Sequence, residues 1–240
     1  MVNILFPTDF APRRLPFFLA LEEWLAEHRG NEEEYFFAWQ QERPTVICGR
    51  NQDIAAEVDT AYCRKSGIDI TRRRSGGGAV VADDNNMMLS YVGPTGGRTI
   101  EEAFGEWTGR IAGMLRKAGA EAQATGRNDV EIRGRKVSGG AFYAHPNGYI
   151  AHSTLILRPL GDELTRALTP SAAKLASKGV KSVAARITSL SEEGVELSRG
   201  EIEELFRKEL CQGTKTLTEE EIAEIEKIEE AYYKPDFLRI

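Results

Sequence analysis

Two short segments of this chain carry residue types suited to chemistry. The first, TRRRSGGGAVVADDNN (71–86), sets Arg72, Arg73 and Arg74 almost against Gly76, Gly77 and Gly78. Consecutive glycines let the backbone approach a ligand closely, and their N–H groups can surround an anion or carboxyl oxygens; arginine adds permanent charge and forked donors. That combination favours a phosphate or acyl-phosphate site. It is not a P-loop, which needs a GKS or GKT ending, nor the spaced GxGxxG of a dinucleotide site. A flexible hairpin with a solvated basic flank also fits these residues.

The second segment, GRNDVEIRGRKVSGGAFY (126–143), supplies Asn128 and Asp129, then Lys136 just past a turn, then Ser138, Gly139 and Gly140. A lysine on a strand beside small, open backbone can hold a developing phosphate charge. Asp129 could coordinate magnesium or bind an adenine edge. The plainer alternatives are an exposed hairpin lysine and an Asx turn leading into the strand.

Such residues act only if other elements hold them, and the chain alternates helical and extended patterns. Phe17, Leu21, Trp24 and Leu25 recur at helical spacing, which predicts an amphipathic helix from about Pro16 to His28 with its acidic residues outside. YFFAWQ and TVICGR read as strands joined by a turn containing Pro44, and Trp39 is either slot wall or core. Thr99 with Glu102 predicts a capped helix running to Gly119. DVEIRGRKVSGGAFY reads as a hairpin turning at Gly134, and YIAHSTLIL as a buried strand. Ser198 with Glu201, and Thr218 with Glu221, start two C-terminal helices. The fold class is α+β, with 1–197 as the catalytic domain and 198–240 as a helical segment completing it.

Composition narrows the function. At 240 residues the chain can bury a substantial core, and a net charge of −6 argues against general nucleic-acid binding. No stretch approaches the roughly 18 uninterrupted apolar residues of a membrane span, and the start does not resemble a secretion signal. A cytoplasmic location is expected, with neither nucleic acid nor membrane as partner. Cys48, Cys63 and Cys211 are odd in number and widely spaced, so neither a disulfide framework nor a zinc site is indicated. His28 and His145 read as surface residues, and the run from Glu219 to Glu221 as the solvated first turn of a helix.

The two segments, with YIAHSTLIL, KLASKGVKSVAARITSL, FFLALEEWL and PTVICGRNQ, resemble successive motifs of the lipoate–protein ligase family across most of residues 16–190. The resemblance implies a biotin/lipoate-ligase-like mixed central sheet flanked by helices, with the acyl chain in a slot over the sheet. It implies lipoate as substrate, ATP and Mg2+, and an acceptor protein of the lipoyl-domain or glycine-cleavage-H type. Lipoate would be joined to the α-phosphate of ATP as lipoyl-adenylate, then passed to an acceptor lysine. By the same resemblance, Lys136 is catalytic, stabilising negative charge in both half-reactions. Arg73, Ser75, Gly76, Gly77, Gly78, Ala79, Ser138, His152 and Lys178 belong to the acyl-adenylate site. Asn86, Asn128 and Asp129 contact the nucleotide, and Asp129 also contacts the metal.

Three departures from the family pattern matter. Ala82 stands where ligases carry a histidine, and Ser153 follows His152 where the family has glycine, which would add a side chain to the slot. A fused C-terminal accessory domain is not expected, so a separate small accessory protein is an expected partner for adenylation. Two alternatives stay open: an ATP-independent octanoyl or lipoyl transferase, which needs a thiolate near Lys136, and a non-catalytic lipoate- or carrier-binding homologue.

Overall fold

The computed structural model describes residues 1–41, 43–125, 128–169 and 186–239. In chain order its strands begin with β1 (Val2–Leu5), β2 (Tyr35–Trp39), β3 (Thr45–Cys48), β4 (Asp69–Arg72), β5 (Val80–Ala82) and β6 (Asn86–Gly93). They continue with β7 (Ala122–Thr125), β8 (Asp129–Ile132), β9 (Arg135–His145), β10 (Gly148–Ile156) and β11 (Gly213–Thr216). The helices are α1 (Leu15–His28), α2 (Ile54–Glu57), α3 (Thr60–Ser66), α4 (Ile100–Lys117), α5 (Asp162–Arg166), α6 (Arg199–Leu210), α7 (Glu219–Glu229) and α8 (Pro235–Leu238).

Eight strands form one mixed sheet in the order β11-β1-β2-β6-β10-β9-β8-β7, parallel at β11/β1/β2 and antiparallel elsewhere. Period-two alternation gives it two buried faces. Met87, Leu89 and Tyr91 of β6 join Trp107, Ile111 and Leu115 of α4 and Phe206 of α6, while Met88 and Val92 join α1 and α7. The β8–β9 turn forms at Arg133 and Gly134, both at positive φ, as a two-residue hairpin requires. Each of α4, α6 and α7 begins with the expected reciprocal capping box, from Thr99, Ser198 and Thr218. Among the described residues, no helix is long and apolar enough to cross a membrane.

Two expectations need correction. YFFAWQ and TVICGR are strands, but they part at Pro44 into different sheets, because β3 is the middle strand of a small second sheet in the order β4-β3-β5. Helix α1 is not acidic on its outside at Glu22 and Glu23. Both are buried, because α1 is covered by the main sheet on one side and by α7 and the turn at Glu230–Tyr233 on the other. A buried carboxylate needs hydrogen-bonding partners. Glu23 takes the Tyr232 hydroxyl and Arg74, at 2.6 Å, while Glu22 faces the site.

Candidate active site

A cavity of about 470 Å³ lies between the two sheets, a size usual for small-molecule sites. Its floor crosses the large sheet strand by strand, from Trp39 of β2 through Met88 of β6, His152 and Thr154 of β10 and Gly139 of β9 to Asp129 of β8. At about 4.8 Å per strand, those four steps make a trench roughly 19 Å long. Leu19 of α1 with Ile47 and Val80 of the small sheet face this floor. The trench is apolar at the β2 end and charged at the β8 end.

The charged end is built by the β8–β9 hairpin and by Arg186. Lys136 Nζ lies 2.9 Å from Asp129 Oδ1, and Arg186 contacts Asp129 Oδ2. Backbone pairing holds the two cations together, since Thr188 N donates to Lys136 O at 2.8 Å and Ile187 bridges to Lys136. A Cβ on Gly139 would push the Lys136 ammonium from its place beside Asp129. Two cations around one carboxylate leave a net positive end suited to an anion. The same arrangement does not fit a protein-built Mg2+ site. Both Asp129 oxygens face cations, and among the described residues no group of three or more His, Cys, Asp or Glu is placed to hold a metal. Asn128 lines this end too, its side-chain Nδ2 donating to Gly140 O at 3.0 Å.

The glycine stretch follows a different logic. The chain from β4 to β5 must pass over the end of β3, so Gly77 adopts φ +89° and a Cβ on Gly49 would strike the Gly77 carbonyl. This crossing leaves carbonyls without ladder partners, and the arginines supply the donors. Arg73 donates to Ile47 O at 3.0 Å, Gly76 O at 2.7 Å and Gly78 O at 2.8 Å. Arg72 donates to Gly49 O, Gln52 O and Leu238 O at 2.8–3.0 Å. Arg74 pairs with Glu23. In this structure these arginines brace the loop and its surroundings. Burial pulls the Arg73 guanidinium down to about 10, which leaves it charged at neutral pH. Its side chain still forms part of the cavity wall, together with Gly77, Gly78 and Ala79.

Other expected site residues do not line the cavity. The Ser75 hydroxyl lies 2.6 Å from His152 Nε2, Gly76 offers its carbonyl to Arg73, and Ser138 is buried; none of the three lines the cavity. Asn86 is fully buried, with Nδ2 donating to Asp83 Oδ1 at 3.1 Å, so it shapes the turn into β6 instead of lining the cavity. Ala82, in the histidine position, is also fully buried. Ser153 does not intrude into the slot. Alternation along β10 turns it to the α4 face, where it accepts from Trp107 Nε1 at 3.3 Å. Lys178 lies outside the described residues, as does most of KLASKGVKSVAARITSL.

Residues 16–211 match the family profile of the lipoyl protein ligase A/B catalytic domain. The chain belongs to this family. Lipoate-protein ligase LplJ of Bacillus subtilis is 35% identical over 174 residues, covering 72% of this chain and 52% of that protein. The chain thus spans about half the length of the curated relatives it matches. Among solved structures, one described as a bi-partite lipoate protein ligase and its E2 lipoyl domain from Thermoplasma acidophilum has a TM-score of 0.84 at 23% identity, covering 99% of this chain and 95% of that chain. A lipoate-protein ligase A bound with ATP has a TM-score of 0.82 at 20% identity, covering 99% and 98%. At those identities the likeness shows the fold, a mixed sheet flanked by helices as expected.

As a lipoyl protein ligase catalytic domain, the chain has no thiol on the cavity wall among the described residues. Cys48 and Cys63 are buried and Cys211 half-buried. Burial pushes the Cys48 thiol up to about 11 and raises the other two, so none is primed as a thiolate at neutral pH. Sequence reasoning missed Glu22 and assigned nothing to Arg186. The signal for Glu22 was available in FFLALEEWLA, where an acid embedded in a helix apolar on all sides must be buried with partners.

Proposed function

We propose that this domain activates lipoate with ATP as lipoyl-adenylate and transfers the lipoyl group to a lysine of an acceptor lipoyl domain. One observation carries the reading: a single trench is apolar where it meets Leu19, Trp39 and Met88 and cationic where it meets Lys136 and Arg186. An acyl chain would lie along the first part, with its carboxyl group at the second. The carboxylate oxygen attacks the α-phosphorus, the bond to the β-phosphate oxygen breaks, and pyrophosphate departs with that electron pair. The acceptor amine then attacks the acyl carbonyl, AMP leaves and the amine gives up a proton. Negative charge develops beside Lys136 in both steps, and a positioned cation lowers such barriers most effectively away from water.

Within this reading, Asp129 orients Lys136 and Arg186, and Asn128 meets the nucleotide. Gly77, Gly78 and Ala79 let the backbone come close to the mixed anhydride. Arg73, Ser75, Gly76, Ser138 and Asn86 act by holding the wall. The ATP-bound neighbour supports the nucleotide, and the Thermoplasma acidophilum protein, described with its E2 lipoyl domain, supports the acceptor class. That protein's bi-partite description also supports a second polypeptide as partner; its task in this reading would be to speed adenylation. Incubation with lipoate, ATP, Mg2+ and a lipoyl domain tests the reading by the acceptor's mass. Addition of a lipoyl group only when ATP is present is expected; addition from a lipoyl-carrier donor without ATP would replace the ligase with a transferase.

A further inference from the structure

Behind the trench wall lies a buried polar chain that joins three distant parts of the sequence. Glu22 of α1 is 2% exposed, Ser90 of β6 and Ser75 of the glycine stretch 1% or less, and His152 of β10 6%. Glu22 Oε2 lies 2.9 Å from His152 Nδ1, and Glu22 Oε1 accepts the Ser90 hydroxyl at 2.6 Å. Ser90 Oγ in turn accepts from Trp39 Nε1 at 2.9 Å. On the far side of the imidazole, Nε2 lies 2.6 Å from Ser75 Oγ.

We propose that Glu22 is a positioning residue for the acyl slot: it fixes the ring and tautomer of His152, which then holds Ser75 and the start of the glycine stretch against the cavity. The direction of the chain follows from donors and acceptors. An ionised carboxylate only accepts, so Nδ1 carries the proton, and in the neutral ring Nε2 is left to accept the Ser75 hydroxyl. With both nitrogens engaged behind the wall, His152 offers ring carbon to the trench, which suits an acyl chain better than a free imidazole would. The carboxylate is a single buried anion holding two wall elements, His152 directly and Trp39 through Ser90. Geometrically this is a serine–histidine–glutamate row, yet Ser75 does not line the cavity, so the row positions groups and has no substrate to attack.

The inference rests on reading the cavity as a lipoyl slot, and its test separates the two. With three histidines in the chain, nitrogen NMR of the imidazoles is readily assigned. In ligand-free wild type, His152 Nδ1 is expected to be protonated; Glu22→Leu should move that proton to Nε2. Lipoate affinity, measured by calorimetry without ATP, should fall by roughly tenfold or more in Glu22→Leu, and KM for lipoate should rise more than kcat falls, as expected when a group shapes ground-state binding. Glu22→Gln keeps an oxygen for Nδ1–H and should stay within about threefold of wild type. Should Glu22→Leu not fold, Ser75→Ala gives the second test, losing affinity while Nδ1 stays protonated. An unprotonated Nδ1 in wild type, or wild-type lipoate affinity in folded Glu22→Leu or Ser75→Ala, overturns the proposal. A wild type that binds no lipoate instead removes the functional reading, while the nitrogen spectra still decide the role of Glu22.

Discussion

The stretch from Arg72 to Gly78 and the hairpin from Asn128 to Gly140 both set cations beside glycines, and they use them in opposite ways. In the first, the guanidinium groups of Arg72 and Arg73 face backbone carbonyls that the crossing over β3 leaves without strand partners. In the second, β8 and β9 pair with each other, so backbone needs are met internally and Lys136 can face a carboxylate and the cavity. The difference lies in where unpaired carbonyls occur, since a buried one must find a donor. Charge concentrated in sequence becomes charge at a site only when the local backbone does not claim it.

The contrast breaks most sharply at Lys136. Lys136→Ala should leave the thermal midpoint near wild type and lower turnover by about 10²–10³-fold, the usual loss for one donor at a developing anion. The checks are acceptor mass over time and a thermal melt of the same sample. Near wild-type turnover would remove Lys136 from the chemistry.

Arg73→Leu should behave the other way. It leaves the carbonyls of Ile47, Gly76 and Gly78 without this donor, and at 1–3 kcal/mol for each unsatisfied buried group, an overall loss of about 3 kcal/mol in unfolding free energy is expected after relaxation. Urea unfolding monitored by tryptophan fluorescence gives the number. A loss below about 1 kcal/mol would mean that the guanidinium is not a brace, and would return it to the role of anion donor.

The sequence-level reading was strongest where local rules decide. Three capping boxes, the turn at Gly134 and the strand at His152 are set within a few residues, and the structure has them. It was weakest where a residue's role depends on what lies against it from far along the chain. Glu22 reads as solvent-facing although its apolar neighbours signal burial, because its partners Ser90 and His152 lie 68 and 130 residues away on the main sheet, and the arginines read as ligand donors until β3 is known to lie under their loop. Lys136 and Asp129 were legible as members of one cluster because one hairpin carries both, but their ion pair was not. Arg186 was not, because its partner Asp129 lies 57 residues earlier in the chain.

Ser153 supplies a smaller effect in the same comparison, between groups on the wall and groups behind it. Its hydroxyl meets Trp107 on the α4 face. Ser153→Ala should cost about 1 kcal/mol of stability or less, the net worth of one buried hydrogen bond, and leave KM for lipoate unchanged. A changed KM would place the side chain in the slot after all.

The smallest effect concerns Cys48, one strand position away from the wall residue Ile47 and turned from the cavity into the small sheet's own core. Burial pushes its thiol up to about 11, so the folded state holds the proton more tightly than the unfolded chain does. The sign follows from linkage: stability from this group is full below the ordinary thiol value and falls as pH rises through the folded one, because only the unfolded chain gains by ionising. Unfolding free energy should therefore decline between about pH 9 and pH 11. In Cys48→Ala that decline should be shallower, whatever the substitution does to stability at neutral pH. Buried tyrosines such as Tyr35, pushed up to about 12, contribute their own slope at higher pH and remain in both proteins. Urea titrations of the two proteins at pH 8, 9, 10 and 11 would give the comparison as a difference of slopes. Parallel curves would show that Cys48 ionises in the fold as readily as outside it, and would reopen it as a candidate nucleophile.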